Sequence, residues 1–174
     1  MKAIIPAVAS LLVLSACATT PAPVATAKAE LKPTAGNTAA GTVTFTQTGD
    51  KLKVTLTATG VPAGLHGFHV HETGDCSAPD AMSAGGHFNP AGVSHGGPGA
   101  GAKHAGDFGN VTANESGNVS FELEVPVAQL TVTAGAAHNV VGRGIILHAA
   151  PDDLTTQPTG NAGKRLACGV VTAA

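Results

Sequence analysis

The segment Leu65–Glu72 reads LHGFHVHE, with histidines at 66, 69 and 71 inside an otherwise apolar stretch. Histidine is polar, titrates near neutrality and binds metals well, so crowding it into a half-buried segment points to a site. In a strand, residues of equal parity share a face. His69 and His71 then stand side by side on an outer face while Phe68 and Val70 turn to the core, which makes half of a metal site. His66 has the parity of the core pair and is expected to be structural, hydrogen-bonded to backbone.

Downstream, HFNP, SHGGP and KHAGD supply His87, His95, His104 and Asp107. Three imidazole nitrogens and one carboxylate suit a closed tetrahedral zinc site. His148 ends the run GRGIILH with the parity of Ile146, so it can face outward at a sheet end and complete the set begun by His69 and His71.

These residues need a frame. GTVTFTQT (Gly41–Thr48) and KLKVTLTAT (Lys51–Thr59) alternate apolar with polar residues across Gly49-Asp50, which predicts a hairpin. Val119, Phe121, Leu123 and Val125 alternate likewise after the turn residues Asn114–Asn118, predicting a second hairpin over Asn110–Val125. Apolar runs at Val140–Leu147 and Leu166–Val171 add strands, and no segment after the N-terminal leader sustains a 3.6-residue apolar period. The class is all-β, a sandwich or barrel. Between Gly74 and Asp107 lies a Gly-, Pro-, Ala- and His-rich segment far longer than ordinary connections, which marks it as functional or cross-linked. Gly97–Ala102 fits G-x-G-x-x-A, but no strand precedes it and no helix follows, so a dinucleotide fingerprint is rejected. The triplets at Asn110, Asn114 and Asn118 match the glycosylation pattern, yet polar hairpins produce such triplets by chance.

At 174 residues the chain allows one domain with a proper core. A net charge of −2 with scattered Lys and Arg argues against a nucleic-acid partner. MKAIIPAVASLLVLSAC carries one lysine, then an apolar run too short to span a membrane, then small residues: an export signal. Leu14-Ser15-Ala16-Cys17 resembles a bacterial lipobox, which makes residues 1–16 a lipoprotein signal peptide and Cys17 the lipidated mature N-terminus; the alternative is a soluble secreted protein cleaved nearby. Two cysteines then remain in an oxidising compartment, Cys76 and Cys168, and one disulfide is expected between them. The Ala-, Thr-, Pro- and Lys-rich residues 17–40 read as a flexible tether, with the folded domain at 41–174.

Taken together, GFHVHETGDCS, GGHFNPAGVSHGGP, KHAGDFGNV, GRGIILH and GNAGKRLACGVV resemble the successive signatures of copper/zinc superoxide dismutase, over essentially Gly41–Val171. The resemblance implies an eight-stranded Greek-key β-barrel, related to immunoglobulin-like sandwiches, with long metal-binding loops. It implies one copper ion per chain on His69, His71, His87 and His148, and one zinc ion on His87, His95, His104 and Asp107, with His87 bridging. It further implies that Asp152 links His69 to His95, that Arg165 stands at the mouth of the copper site with His87 as its catalytic partner, and that Cys76 pairs with Cys168. His138 matches a non-ligand surface position.

The implied activity is dismutation of superoxide to oxygen and hydrogen peroxide outside the cytoplasm, in a membrane-anchored lipoprotein facing the periplasm. The membrane is met only through the lipid on Cys17. A non-catalytic copper-handling domain of the same fold is the alternative, against which His148 and Arg165 argue. A binuclear hydrolase would want a bridging carboxylate and a longer chain. Cys76 follows His71 by only five residues, and the segment from His148 to Arg165 is short, so loop geometry does not carry over and subunit number stays open between monomer and homodimer.

Overall fold

In the computed structural model, residues 24–174 are described. They form nine strands: β1 (Val24–Pro33), β2 (Ala40–Thr48), β3 (Lys51–Thr59), β4 (Gly64–His71), β5 (Asp107–Ala113), β6 (Val119–Pro126), β7 (Gly144–His148), β8 (Arg165–Val170) and the short β9 (Thr172–Ala173). The described residues hold one helical turn, a 3-10 turn at Met82–Ala84. Neighbouring strands run β2-β3-β6-β5-β4-β7-β8-β1, and β1 also pairs with β2, so eight antiparallel strands close on themselves. The crossovers from β3 to β4 and from β6 to β7 give the Greek-key order. The all-β expectation and the eight-stranded barrel are both met.

The β2–β3 hairpin forms as expected, with Gly49 at φ 59° taking the left-handed conformation of its two-residue turn. Val43, Phe45, Leu52, Val54 and Leu56 are fully buried, while the intervening threonines and lysines face outward. The second hairpin differs from expectation. Asn114 Oδ1 accepts the N–H groups of Ser116 and Asn118 and turns the chain, but β5 and β6 share only the pair Ala113↔Val119. Beyond that point β6 follows β3 for eight residues and β5 follows β4, so the two strands splay onto different halves of the barrel.

The expected tether over residues 17–40 is corrected from Val24 onward. β1 pairs with β2 from Val24↔Thr48 to Leu31↔Gly41, and its end reaches β8 at Lys32↔Cys168 and Pro33↔Ala167. Ala27, Ala29 and Leu31 are buried between outward Lys28, Glu30 and Lys32. The period is that of a strand; the inward residues are small enough to resemble a linker by composition. They suit the place, because β1 lies close against β8: Gly169 has room only for hydrogen opposite the Glu30 carbonyl and the Ala29 side chain. The domain therefore begins before residue 41. The signal peptide, Cys17 and the first part of the expected tether lie outside the described residues.

The core joins Phe45, Phe68, Phe108, Leu52, Leu56, Ile145 and Leu147, with Phe68 stacked obliquely on Phe108 at 5.6 Å. Two long connections leave this barrel and fold back over its outer face: residues 72–106 between β4 and β5, and residues 149–164 between β7 and β8. The first is tied to β8 by the Cys76–Cys168 disulfide, as expected, with Cα atoms 5.8 Å apart. Closing a loop of 92 residues in the unfolded chain stabilises the fold by on the order of 4 to 5 kcal/mol in the chain-entropy account.

Because β1 completes the closed sheet, a chain starting at Gly41 is expected not to fold, whereas one starting at Val24 unfolds cooperatively in urea. Leu31→Ala in the longer chain should cost about 2 to 4 kcal/mol through a core cavity. Equal urea midpoints for the two lengths would show that β1 is dispensable.

Candidate metal centre

β4 alternates Phe68 and Val70 into the core with His69 and His71 onto the outer face, as the parity argument required. That face is not wet, because the two loops cover it: His69 and His71 are fully buried. Segment 86–88 lies along β4 through the bonds Glu72 N–H to Gly86 O (2.9 Å) and Phe88 N–H to Val70 O (2.8 Å), which sets His87 opposite His71. A bulge in the β4–β5 ladder, with Gly109 at φ 76°, brings Asp107 opposite His69. His148 ends β7, the strand paired with β4 on the side away from β5.

Two groups result. In the first, His69, His71, His87 and His148 converge; in the second, His87, His95, His104 and Asp107 converge; within each, one donor atom per residue lies within 4.8 Å of the others. The partners outside the groups fix which nitrogen points inward. His71 Nδ1 donates to Gly85 O at 2.9 Å and His148 Nδ1 to Gly163 O at 3.3 Å. Their Nε2 atoms, which then carry lone pairs, face each other at 3.2 Å. Two lone pairs so placed repel unless a cation lies between them. His69 and His95 donate Nε2–H to the two oxygens of Asp152, at 2.8 and 3.0 Å. His69 Nδ1 and His95 Nδ1 are left buried without a hydrogen bond, as are His87 Nε2 and His104 Nδ1.

Around Asp107, the Nδ1 atoms of His87, His95 and His104 stand 2.8, 3.0 and 3.3 Å from its carboxylate oxygens. Ligand atoms about 2.0 to 2.1 Å from a tetrahedral ion lie about 3.3 Å apart. The spacing is that of a coordination shell. Asp107 Oδ2 also accepts the N–H groups of His104 (2.9 Å) and Gly96 (3.2 Å).

The protonation states suit the same use. Burial lowers the pKa of His69 and His71 well below the ordinary histidine range, with the neighbouring imidazoles adding to it. Burial brings His148 down to about 3 and lowers His104 as well. Burial alone would raise Asp107, but the hydrogen bond with His87 and the N–H groups of His104 and Gly96 outweigh it and lower the pKa. At neutral pH the site offers free imidazole lone pairs and an ionised carboxylate, which is the donor set a cation needs.

Arg165 opens β8 beside the first group. Its Nη1 donates to Ala81 O at 2.5 Å and its Nη2 to Gly85 O at 2.6 Å, the carbonyl that also receives His71. It lines an open recess with Lys164, Asp80 and Met82. Lys164 is exposed. Asp80, from the other loop, was not anticipated there.

The structure adds residues that no local sequence pattern marks. Asn110, noticed only as a glycosylation triplet, clamps the backbone of Asp152: Nδ2 donates to Asp152 O at 2.8 Å and Oδ1 accepts Asp152 N–H at 2.7 Å. Gly160, at φ 65°, leaves space that a Cβ would take from Asp152 Oδ1 and from His95 Nε2. His66 bonds only backbone carbonyls, His148 O at 2.9 Å and Pro62 O at 2.7 Å, as expected of a structural histidine. His138 lies outside both groups.

Residues 39–171 match the family model for copper/zinc superoxide dismutase (SODC), and the chain belongs to that family. A solved structure described as "Crystal Structure Analysis of the clock protein EA4" is similar at 38% identity and a TM-score of 0.76, over 92% of this chain and 100% of that one. The two His-rich groups fit copper and zinc sites.

The lowered histidines set a pH dependence for the metal-free protein. From about pH 3 to 6.5 the unfolded chain holds protons that folded His148 refuses, so stability rises with pH across that window and is lost as pH falls below 6.5. His69 and His71 act in the same direction. Each group should remove about 1.4 kcal/mol per pH unit. Urea midpoints of metal-free protein should therefore be flat above pH 7.5 and fall between 6.5 and 4.5; a flat profile to pH 4.5 would mean that these rings are already protonated when folded.

Proposed function

We propose that the protein dismutates superoxide, 2 O2•− + 2 H+ giving O2 and H2O2, with copper on His69, His71, His87 and His148 and zinc on His87, His95, His104 and Asp107. The observation that carries this is the position of His87. Its Nδ1 belongs to the Asp107 group, while its buried Nε2 is unpartnered on the side of the other three histidines. One ring would thus serve both cations. Copper, when bound, supplies a one-electron redox couple, and zinc, which has no redox chemistry, supplies fixed charge and geometry.

The residues do the rest. Asp152 holds His69 and His95 by their Nε2–H groups, which orients both rings. His87 Nε2 is the atom suited to hold a proton between the two half-reactions, since it alone among the rings has no acceptor outside the groups. Arg165, fixed by two carbonyls, presents positive charge to a small anion beside His71 and His148. Lys164 adds charge at a distance, and Asp80 in the same recess opposes it.

The test is metal content and turnover. Loaded protein should hold one copper and one zinc and remove superoxide in pulse radiolysis; a copper-handling domain would hold copper without turnover. Arg165→Ala should slow the reaction at every salt concentration with both metals retained. Lys164→Ala should slow it, and Asp80→Asn speed it, only at low salt, because exposed charges are screened beyond about 8 to 10 Å at ordinary ionic strength. Wild-type rates in Arg165→Ala throughout would remove it from the mouth.

The reading also includes export and lipidation at Cys17, supported by the MKAIIPAVASLLVLSAC leader. With β1 starting at Val24, seven residue steps separate that anchor from the barrel, a reach of at most about 25 Å. The domain would then work against the membrane surface, on the periplasmic side. Cys17→Ser should release the processed protein from membranes with unchanged specific activity; retention of the processed variant would overturn the lipidation.

A further inference from the structure

Among the residues of the Asp107 group, His95 is held differently. His87 sits opposite β4 in a bridge with His71, and Asp107 begins β5. The backbone of His104 is bonded at both its groups to Asp107: its N–H to Oδ2, its carbonyl to Asp107 N–H at 3.2 Å. His95 lies in an irregular stretch with no strand on either side. Its backbone is bracketed by one side chain: His95 N–H donates to Gln157 Oε1 at 2.8 Å, and Gln157 Nε2 donates to His95 O at 2.9 Å. The amide thus takes the part that a neighbouring strand plays in a two-bond antiparallel pair.

The loop supplying this bracket is tied to itself. Asp153 Oδ1 accepts the N–H groups of Thr155 (3.0 Å) and Thr156 (2.7 Å), and Asp153 N–H bonds Gly160 O at 2.8 Å. The same loop delivers Asp152 to the His95 ring at 3.0 Å. His95 is thereby held at its ring and at its main chain by one loop, from residues 57 and 62 positions away in sequence.

We propose that Gln157 is a positioning residue for the zinc-type group: it aligns the backbone of His95 so that Nδ1 points at Asp107, and it couples zinc affinity to the placement of the 149–164 loop. The inference rests on the reading that His87, His95, His104 and Asp107 hold zinc. An alanine at 157 removes both bonds to His95, a third from Nε2 to Thr155 O at 3.2 Å, and the bulk; a methionine removes the bonds and keeps the bulk. Losses of residues that orient metal ligands typically weaken affinity about 10 to 100-fold, and a backbone bracket acting one bond further from the ring should fall near the lower figure.

The experiment titrates the metal-free full-length chain with zinc against a chromophoric chelator, and separately with cobalt(II), whose visible absorption reports the geometry of a tetrahedral site. Gln157→Met and Gln157→Ala should both bind zinc about tenfold more weakly. Their cobalt spectra should shift, while copper affinity stays that of wild type and far-UV circular dichroism is unchanged. Wild-type zinc affinity and an unaltered cobalt spectrum in Gln157→Met would overturn the proposal. So would an equal fall in thermal midpoint with and without zinc, because a bracket that only stabilises the loop does not favour the zinc-bound state. Failure of the wild-type chain itself to bind zinc is a different result, which would remove the zinc reading on which the inference stands.

Discussion

The structure depends on keeping six imidazoles buried in one place. A buried polar nitrogen without a partner costs about 1 to 3 kcal/mol, so each ring must spend one nitrogen on an acceptor before it can offer the other. Five rings do so outside the two groups: His69 and His95 to Asp152, His71 to Gly85 O, His148 to Gly163 O, and His104 to the backbone of Val93. His87 has no such partner, and both its nitrogens face inward to the groups. That asymmetry makes it the one ring common to both groups, and it arises from where the loop lays His87 against β4.

The acceptors explain the loops. Gly85 O and Gly163 O are main-chain atoms, so their positions require that both loops be ordered, and Arg165 shares the first of them. The Cys76–Cys168 bridge ties the segment before Ala81 and Gly85 to the strand that Arg165 opens. One covalent link therefore sets the carbonyls that hold His71 and Arg165 relative to the barrel. Close approach is needed as well: Gly106 lies against the Val70 carbonyl and Gly67 against Ala162 and His69, where a side chain would force the loops away from the sheet.

How much of this is legible in the sequence varies with the range of the interaction. Phe45, Leu52 and Leu56 announce their strands because large apolar residues alternate within a short window. Ala27 and Ala29 alternate too, but alanine carries little burial signal, and β1 is a strand because the barrel needs small residues against β2 and β8. The histidines are legible because they are uncommon, spaced by strand parity and gathered in one glycine-rich loop. Asn110 and Gln157 are not, since an amide that clamps a backbone 42 or 62 residues away has no local pattern. Asp80 reaches the recess of Arg165 only through the fold of the Cys76 loop. Carbonyl acceptors leave no trace at all, because every residue has one.

The spacing between the two groups follows from the ladder more than from any side chain. His69 lies opposite Asp107 across the β4–β5 bulge, and His71 lies opposite His87 in the added bridge. Each pair joins one residue of the histidine group on β4 to one residue of the Asp107 group. A slip of one residue in β4 would send Phe68 and Val70 outward and both imidazoles into the core. The apolar contacts of Phe68 with Phe108 and Phe121, at 5.6 and 5.9 Å, oppose that slip. Packing on the inner face of β4 thus determines the geometry on its outer face, and the two histidine-rich groups inherit the rigidity of a closed barrel although they lie outside its core.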